Sequence, residues 1–309
     1  MRTISIVTPA YNEEANIREV YEQAKAIFAS LPQYRYEHIF IDNASTDRTV
    51  SILREIAAAD PHVKVIVNMR NFGHIRSPFH GLLQASGDAA ILLVADLQDP
   101  PALMRTFLER WEQGEKIVIG VKTTSGESPL LFAIRKLYYH LVSSLSETRL
   151  IKNYTGFGLY DRSILDVLRT VADPYPYFRG LVLEIGPAPS IVPYAQPSRK
   201  RGISKNNFYT LYDIAMLGIT SHSKVPLRLA TFTGFLLSCM GMLVACGYLV
   251  AKLVFWNTFS AGIAPIVVGG FLFLSVQLFF IGIIGEYVAA IHTQTLRRPL
   301  VVERERINF

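Results

Sequence analysis

The chain has 309 residues, half of them hydrophobic, and a formal net charge of +6, enough for one large domain or two smaller units. Its two cysteines, Cys239 and Cys246, exclude a disulfide framework. The positive balance comes with no nucleic-acid recognition motif, so no nucleic acid is expected as a partner, and an anionic membrane surface suits the charge better.

The opening stretch MRTISIVTPA lacks the apolar region of a signal peptide and reads as a first strand ending at Pro9. Helical periodicity covers residues 12–30, and YEHIFID is a second strand that stops at Asp42. Residues 45–60 open with a Ser/Thr/Asp capping cluster and continue as a helix. VKVIV (63–67) and AAILLVA (89–95) are two further strands with a helix between them. A helix with proline in its first turn covers 100–114, and KIVIGV (116–121) is a fifth strand. This alternation predicts an α/β fold with a mostly parallel sheet, in which ligands bind outside the carboxyl ends of the strands.

Polar clusters fall at those ends: Tyr11-Asn12-Glu13-Glu14, Asp42-Asn43 and Asp96-Leu97-Gln98-Asp99. No glycine-rich loop follows the first strand, which argues against a dinucleotide-binding unit or a P-loop. Carboxylates in place of glycines need a divalent cation to hold a diphosphate. Asp96 and Gln98, two apart in an extended stretch, would point the same way. The alternative is a polar turn closed by Pro100 and Pro101. His74 and His80 have no third ligand nearby and make no zinc site.

Residues 128–145 form an amphipathic, aromatic-rich helix that packs on the sheet or lies at a membrane, and 206–219 read as an interfacial helix. Residues 229–251 and 262–285 carry no charge, and each is long enough to cross about 30 Å of hydrocarbon. With a short connector at 252–261 they form a hairpin. Lys224 and Arg228 before it, and Arg297 and Arg298 after it, put both termini in the cytoplasm. The expected organisation is a cytoplasmic domain over 1–200, a basic loop and juxtamembrane helix over 201–228, a transmembrane hairpin over 229–288 and a cytoplasmic tail over 289–309.

Eight motifs share one order and spacing with a known family: PAYNEE (9–14), DNASTDRT (42–49), RNFG (70–73), DLQDPP (96–101), GFGLYDR (156–162), RKRGISK (199–205), SHSKVPLRL (221–229) and GEYVAAIHTQTLRRP (285–299). The set resembles glycosyltransferase family 2, of GT-A fold. Within it the set is similar to the polyprenyl-phosphate glycosyltransferases, such as dolichol-phosphate mannose synthases and bactoprenol glucosyltransferases, over nearly the whole chain.

The resemblance implies a GT-A, Rossmann-like domain followed by interfacial amphipathic helices and a two-helix transmembrane hairpin. It makes Pro9, Tyr11, Glu13 and Asp42 donor-binding, with helix capping as the alternative for Glu13. It makes Asp96 and Gln98 ligands of Mg2+ or Mn2+, and Asp99 either a catalytic carboxylate or a helix cap. Lys122 and Arg135 would meet an acceptor phosphate, and Arg199 and Lys205 the donor diphosphate.

Two positions depart from the family pattern. Val94 and Gly156 stand where aspartate is common, and the carboxylate nearest Gly156 is Asp161, either catalytic or a helix cap. A phosphate acceptor, with its second pKa near about 6, needs little deprotonation, whereas a sugar hydroxyl needs a base. The missing aspartate therefore favours a phosphate acceptor. The implied activity is inverting transfer of a sugar, glucose from UDP-glucose as first guess, to polyprenyl (undecaprenyl) phosphate. It would serve surface polysaccharide or lipopolysaccharide at the bacterial inner membrane, by a multi-pass protein with a cytoplasmic catalytic domain, with a homo-oligomer left open. The rivals are a transferase using another lipid-linked or soluble glycan acceptor, and a catalytically inactive membrane scaffold.

Overall fold

The structure, a computed structural model, describes residues 1–123, 151–197, 216, 225–255, 263–296 and 298–309. The expected helices at 128–145 and 206–219 lie outside the described residues, apart from Met216, which is helical.

Eight strands build one sheet: β1 Arg2–Ala10, β2 Tyr34–Asp42, β3 Val63–Asn68, β4 Ala89–Leu92, β5 Ile117–Lys122, β6 Tyr154–Asp161, β7 Ser190–Tyr194 and β8 Glu303–Ile307, in the order β7-β5-β6-β4-β1-β2-β3-β8. The helices covering it are α1 Ile17–Ala29, α2 Thr49–Ala59, α3 Gly73–Leu83, α4 Leu103–Glu112, α5 Arg162–Thr170 and α6 Phe178–Ile185. Side chains of a strand alternate between faces. Ile4 and Ile6 of β1 accordingly pack with Met104, Phe107 and Trp111 of α4, while Val7 packs on the other face with Phe79 and Leu82 of α3. On α1, Ile17, Val20, Tyr21, Ala24, Ile27 and Phe28 recur at helical spacing and are buried.

The register decides which residues share an edge. In parallel pairing Ala10 lies opposite Asp42, Asp42 opposite Val67, and Val7 opposite Leu92. β5 and β7 run the same way, with Lys122 opposite Tyr194. The carboxyl ends of β1, β2, β3, β4, β5 and β7 thus form one edge. β6 is antiparallel to both neighbours, so Tyr154 lies towards that edge while Asp161 pairs with Ala89 at the start of β4.

β6, β7 and β8 extend the five-strand expectation. The segment at 289–309, expected as a tail, instead carries β8, which pairs antiparallel with β3. Arg54–Glu305 (2.6 Å) and His80–Glu303 (2.6 Å) pin β8 to α2 and α3. Asn308 donates to the carbonyls of Ala57 (2.8 Å) and Val63 (2.9 Å).

Between β7 and β8 run α7, Val225–Val254, of 30 residues, and α8, Ile263–Thr295, of 33. Both are long and apolar enough to cross a membrane by length and composition, with candidate spans at Val225–Val244 and Phe273–Thr295. Large apolar side chains on them stand open, including Phe232 at 71% and Leu243 at 74% exposure. α8 continues past the expected boundary at 285. The chain leaves the sheet at β7 and rejoins it at β8, so any crossings between the two are even in number.

Candidate active site

Four loops at the carboxyl edge carry non-glycine residues in the left-handed region: Asn12 (φ 56°) after β1, Ala44 (φ 62°) after β2, Leu97 (φ 57°) after β4 and Asn153 (φ 61°) before β6. Alanine and leucine enter that region at a cost of about 1–2 kcal/mol each. Such strain persists where the surroundings over-determine it, commonly at functional sites.

The first two loops are laced together. Ser45 donates its backbone N–H (2.9 Å) and its hydroxyl to the Asp42 carboxylate. The same hydroxyl accepts from the Asn12 N–H at 2.8 Å, and Asn12 Oδ1 accepts from Thr46 N–H at 2.8 Å. Asp42 is fully buried, and burial pushes its carboxyl up against the pull of the Ser45 hydrogen bonds. Pro9, near the end of β1, and Tyr11, just past it, are half-buried. Glu13 is half-buried too; its carboxylate accepts from Asn16 Nδ2 at 2.8 Å, and its N–H bonds Thr49 Oγ1 at 2.9 Å. The RNFG segment joins the same network: Asn43 Nδ2 donates to Asn71 Oδ1 (2.8 Å), and Asn43 Oδ1 accepts from Phe72 N–H (2.9 Å). Asn43 belongs to a polar cluster that the sequence marks, whereas Ser45 and Asn71 carry no signal of their own beyond the motifs in which they sit.

After β4 the chain does not stay extended, contrary to expectation. Ala95 and Asp96 make a turn that runs into a bend at Leu97, and the Gln98 N–H donates to Asp96 Oδ1 at 3.1 Å. Asp96 and Gln98 are both half-buried in this turn, whereas Asp99 is almost fully enclosed. Asp99 is not the helix cap: that position belongs to Ala102. Its carboxylate instead accepts the Tyr194 hydroxyl. Burial raises the Asp99 carboxyl above the ordinary range. The Tyr194 hydrogen bond and the Lys122 charge pull it back, and Asp96 pushes it further up. The strand ends bring Lys122 and Tyr194 to this corner from β5 and β7. No local signal marked Tyr194, because its tie to Asp99 spans 95 residues.

Asp161 lies outside the site, at the opposite edge. It caps α5 by accepting from Ser163 N–H at 3.0 Å, and it also binds Trp111 Nε1 (2.7 Å) and Lys116 (3.0 Å). Burial pushes its carboxyl up, but those bonds outweigh burial and hold it down at about 2. Gly156 does lie towards the active edge, at φ 103°, and a Cβ there would meet Leu92 at 3.4 Å and Phe178 at 3.7 Å. The backbone here requires glycine, and the missing aspartate would face apolar groups. Arg135, Arg199 and Lys205 lie outside the described residues.

Asp96 and Gln98 offer a carboxylate and an amide oxygen, a hard donor set. Mg2+ and similar ions take one or two carboxylates and complete their shell with water and substrate phosphate, so these residues fit such an ion. Among the described residues no group of three His, Cys, Asp or Glu could hold a metal.

Residues 5–169 match the family described as Glycosyl transferase family 2. A bactoprenol glucosyl transferase of Shigella phage SfV is 32% identical over 306 residues, 98% of this chain and 99% of its own length. An uncharacterized glycosyltransferase of Bacillus subtilis (strain 168) is 34% identical over 299 residues, covering 96% of this chain and 92% of its own. Among solved structures, glucosyl-3-phosphoglycerate synthase from Mycobacterium tuberculosis, in complex with Mn2+, UDP and phosphoglyceric acid, superposes with a TM-score of 0.52 at 21% identity, over 71% of this chain and 76% of that one. That likeness is one of fold. Family match and full-length relatives together make this chain a member of glycosyltransferase family 2, a glycosyltransferase of GT-A fold.

Proposed function

We propose that the chain transfers a hexose from a nucleotide sugar to the phosphate of a polyprenyl lipid, with UDP-glucose and undecaprenyl phosphate as the first pair to test. The observation that carries the reading is the meeting, on one sheet edge, of the buried Asp42, the Asp96–Gln98 turn and Lys122 beside Asp99. Relatives named as bactoprenol glucosyl transferases support the acceptor class.

In this reading Tyr11 offers an aromatic face to the base, and Asp42 and Glu13 accept hydrogen bonds from imide or ribose hydroxyl groups. Asp96 and Gln98 are the residues that would hold Mg2+ or Mn2+, which supplies positive charge to the departing diphosphate. Lys122 offers a cation to the acceptor phosphate, with Arg135 as its proposed partner. Arg199 and Lys205 are proposed to close on the donor diphosphate.

An acceptor phosphate oxygen is ionised at neutral pH and attacks the anomeric carbon as the carbon–oxygen bond to the diphosphate breaks, inverting that centre. It needs little help from a base, which suits an edge that carries Gly156 and from which Asp161 points away. Asp99, which accepts the Tyr194 hydroxyl, is proposed to hydrogen-bond a sugar hydroxyl. The catalytic domain would face the cytoplasm of a bacterial inner membrane, with α7 and α8 as a transmembrane hairpin.

Purified protein with Mg2+, undecaprenyl phosphate and a panel of labelled nucleotide sugars tests the proposal. The expected result is label from one donor passing into the organic phase only when polyprenyl phosphate is present. Transfer to water or to a soluble glycan instead would assign another acceptor, and no transfer from any donor would favour the inactive scaffold.

A further inference from the structure

Away from the Asp96–Lys122 corner, cations gather where β3 ends and where the chain emerges from α8. Arg70 follows β3 by two residues, Arg76 lies in α3, and Arg298 stands three residues past the end of α8. The Phe72 ring holds two of them: Arg70 Cζ is 4.1 Å and Arg76 Cζ 5.3 Å from its centroid. Arg76 Nη2 donates to the Pro299 carbonyl, while its Nε is buried with no partner. Burial, and then the charge of Arg70, depress the Arg76 guanidinium, with Arg298 adding to the effect. Among the described residues none of these three guanidinium groups is paired with a carboxylate.

Three neighbouring cations with no carboxylate partner among the described residues repel one another, and an anion seated among them would relieve that repulsion. The surroundings indicate which kind. Met69, Leu296 and Val302 are 61%, 39% and 43% exposed, and the Met69 N–H bonds the Val302 carbonyl at 2.9 Å. Exposed apolar side chains among arginines, at the foot of a helix of membrane-spanning length, form a surface suited to the bilayer–water boundary.

We propose that Arg70, Arg76 and Arg298 form a seat for the headgroup phosphate of an anionic bilayer phospholipid. The seat is separate from the acceptor position. Two strands, β2 and β1, stand between β3 and β4, a separation of three strand spacings or roughly 14 Å. A phosphate held here is too far from the Asp96 turn to attack the donor. Its effect is to fix how the sheet edge rests on the membrane. The seat rests on the membrane reading above, and it is tested by lipid retention rather than transfer, so each can fail alone.

Native mass spectrometry of the full chain, released from mixed micelles with equal phosphatidylglycerol, phosphatidylcholine and undecaprenyl phosphate, counts each retained lipid. The parent is expected to keep phosphatidylglycerol in preference. Arg70→Gln/Arg298→Gln, which leaves the Arg76–Pro299 contact intact, is expected to lower that preference about fivefold per cation removed. Arg2→Gln/Arg35→Gln, at the opposite edge, should leave both the preference and UDP affinity unchanged. Unchanged preference in the first pair, or equal loss in the control pair, would overturn the seat. So would loss of retained undecaprenyl phosphate with phosphatidylglycerol kept, which would make it an acceptor site.

Discussion

Asp96 and Asp99 stand three residues apart in one loop yet live in different surroundings, the first half-open and the second enclosed beneath Tyr194. Asp96→Ala removes the one charged ligand proposed for the cation, and a loss of transfer on the order of a hundredfold or more is expected, with the circular dichroism spectrum unchanged. Tyr194→Phe acts through Asp99. The phenol's hydrogen bond favours the carboxylate, so its removal lets burial raise the Asp99 carboxyl further. The acid limb of the pH–rate profile should therefore move to higher pH, with the plateau above it kept. Asp161→Asn should do the reverse, weakening the fold while transfer per folded molecule survives. The folded carboxyl lies at about 2 against an ordinary 3.8. A depressed value of this kind contributes fully above the unfolded pKa and is lost as pH falls from about 4 towards 2, worth about 2 kcal/mol. Chemical unfolding at pH 7 and pH 2.5 would show the deficit at the first and little at the second. Asp42, Asp96 and Gln98 stood out as candidates in the sequence because each closes or follows an apolar run. Tyr194 and the true place of Asp161 could not, since both depend on which way β6 and β7 run.

At the scale of elements, strands with strong apolar runs, such as ISIV and VKVIV, were readable because both faces are covered and turn residues bound them. β6 was hidden by Gly156 and Gly158, which weaken its strand signal. Gly158 is required by close packing: a Cβ there would lie 2.5 Å from the Val118 carbonyl. β8, ERERI, looks like a solvated charged tail because it is an edge strand whose side chains stay half-exposed or open. Charge on an edge strand discourages pairing with other molecules. Ending the chain at Pro299 would strip β3 of this cover. Hydrogen exchange is expected to speed up at Val65 and Val67, which face β8, and to stay slow at Ile4 and Ile6 in the middle of the sheet. Protection in β3 that survives the truncation would mean that β8 contributes nothing to that edge.

For the whole molecule, the return of β8 to the sheet carries the topology. A domain that contains both β1 and β8 holds both termini on one side, whatever α7 and α8 cross. Cysteine labelling in intact cells is expected to find residues at both ends shielded and Asn257 accessible; an accessible Phe309 would contradict the hairpin. Charge-free stretches revealed the two apolar helices, but hydropathy marks where lipid would begin and end, while α8 continues as a helix to Thr295.

The central claim is that sugar joins a lipid phosphate through a single new bond from phosphate oxygen to anomeric carbon. Mass spectrometry of the lipid formed from undecaprenyl phosphate and the accepted nucleotide sugar tests it most directly. A product containing one hexose and one phosphorus, absent with Asp96→Ala, is the expected result. A lipid carrying two phosphorus atoms, the mark of sugar-phosphate transfer, or no sugar-bearing lipid at all, would contradict it.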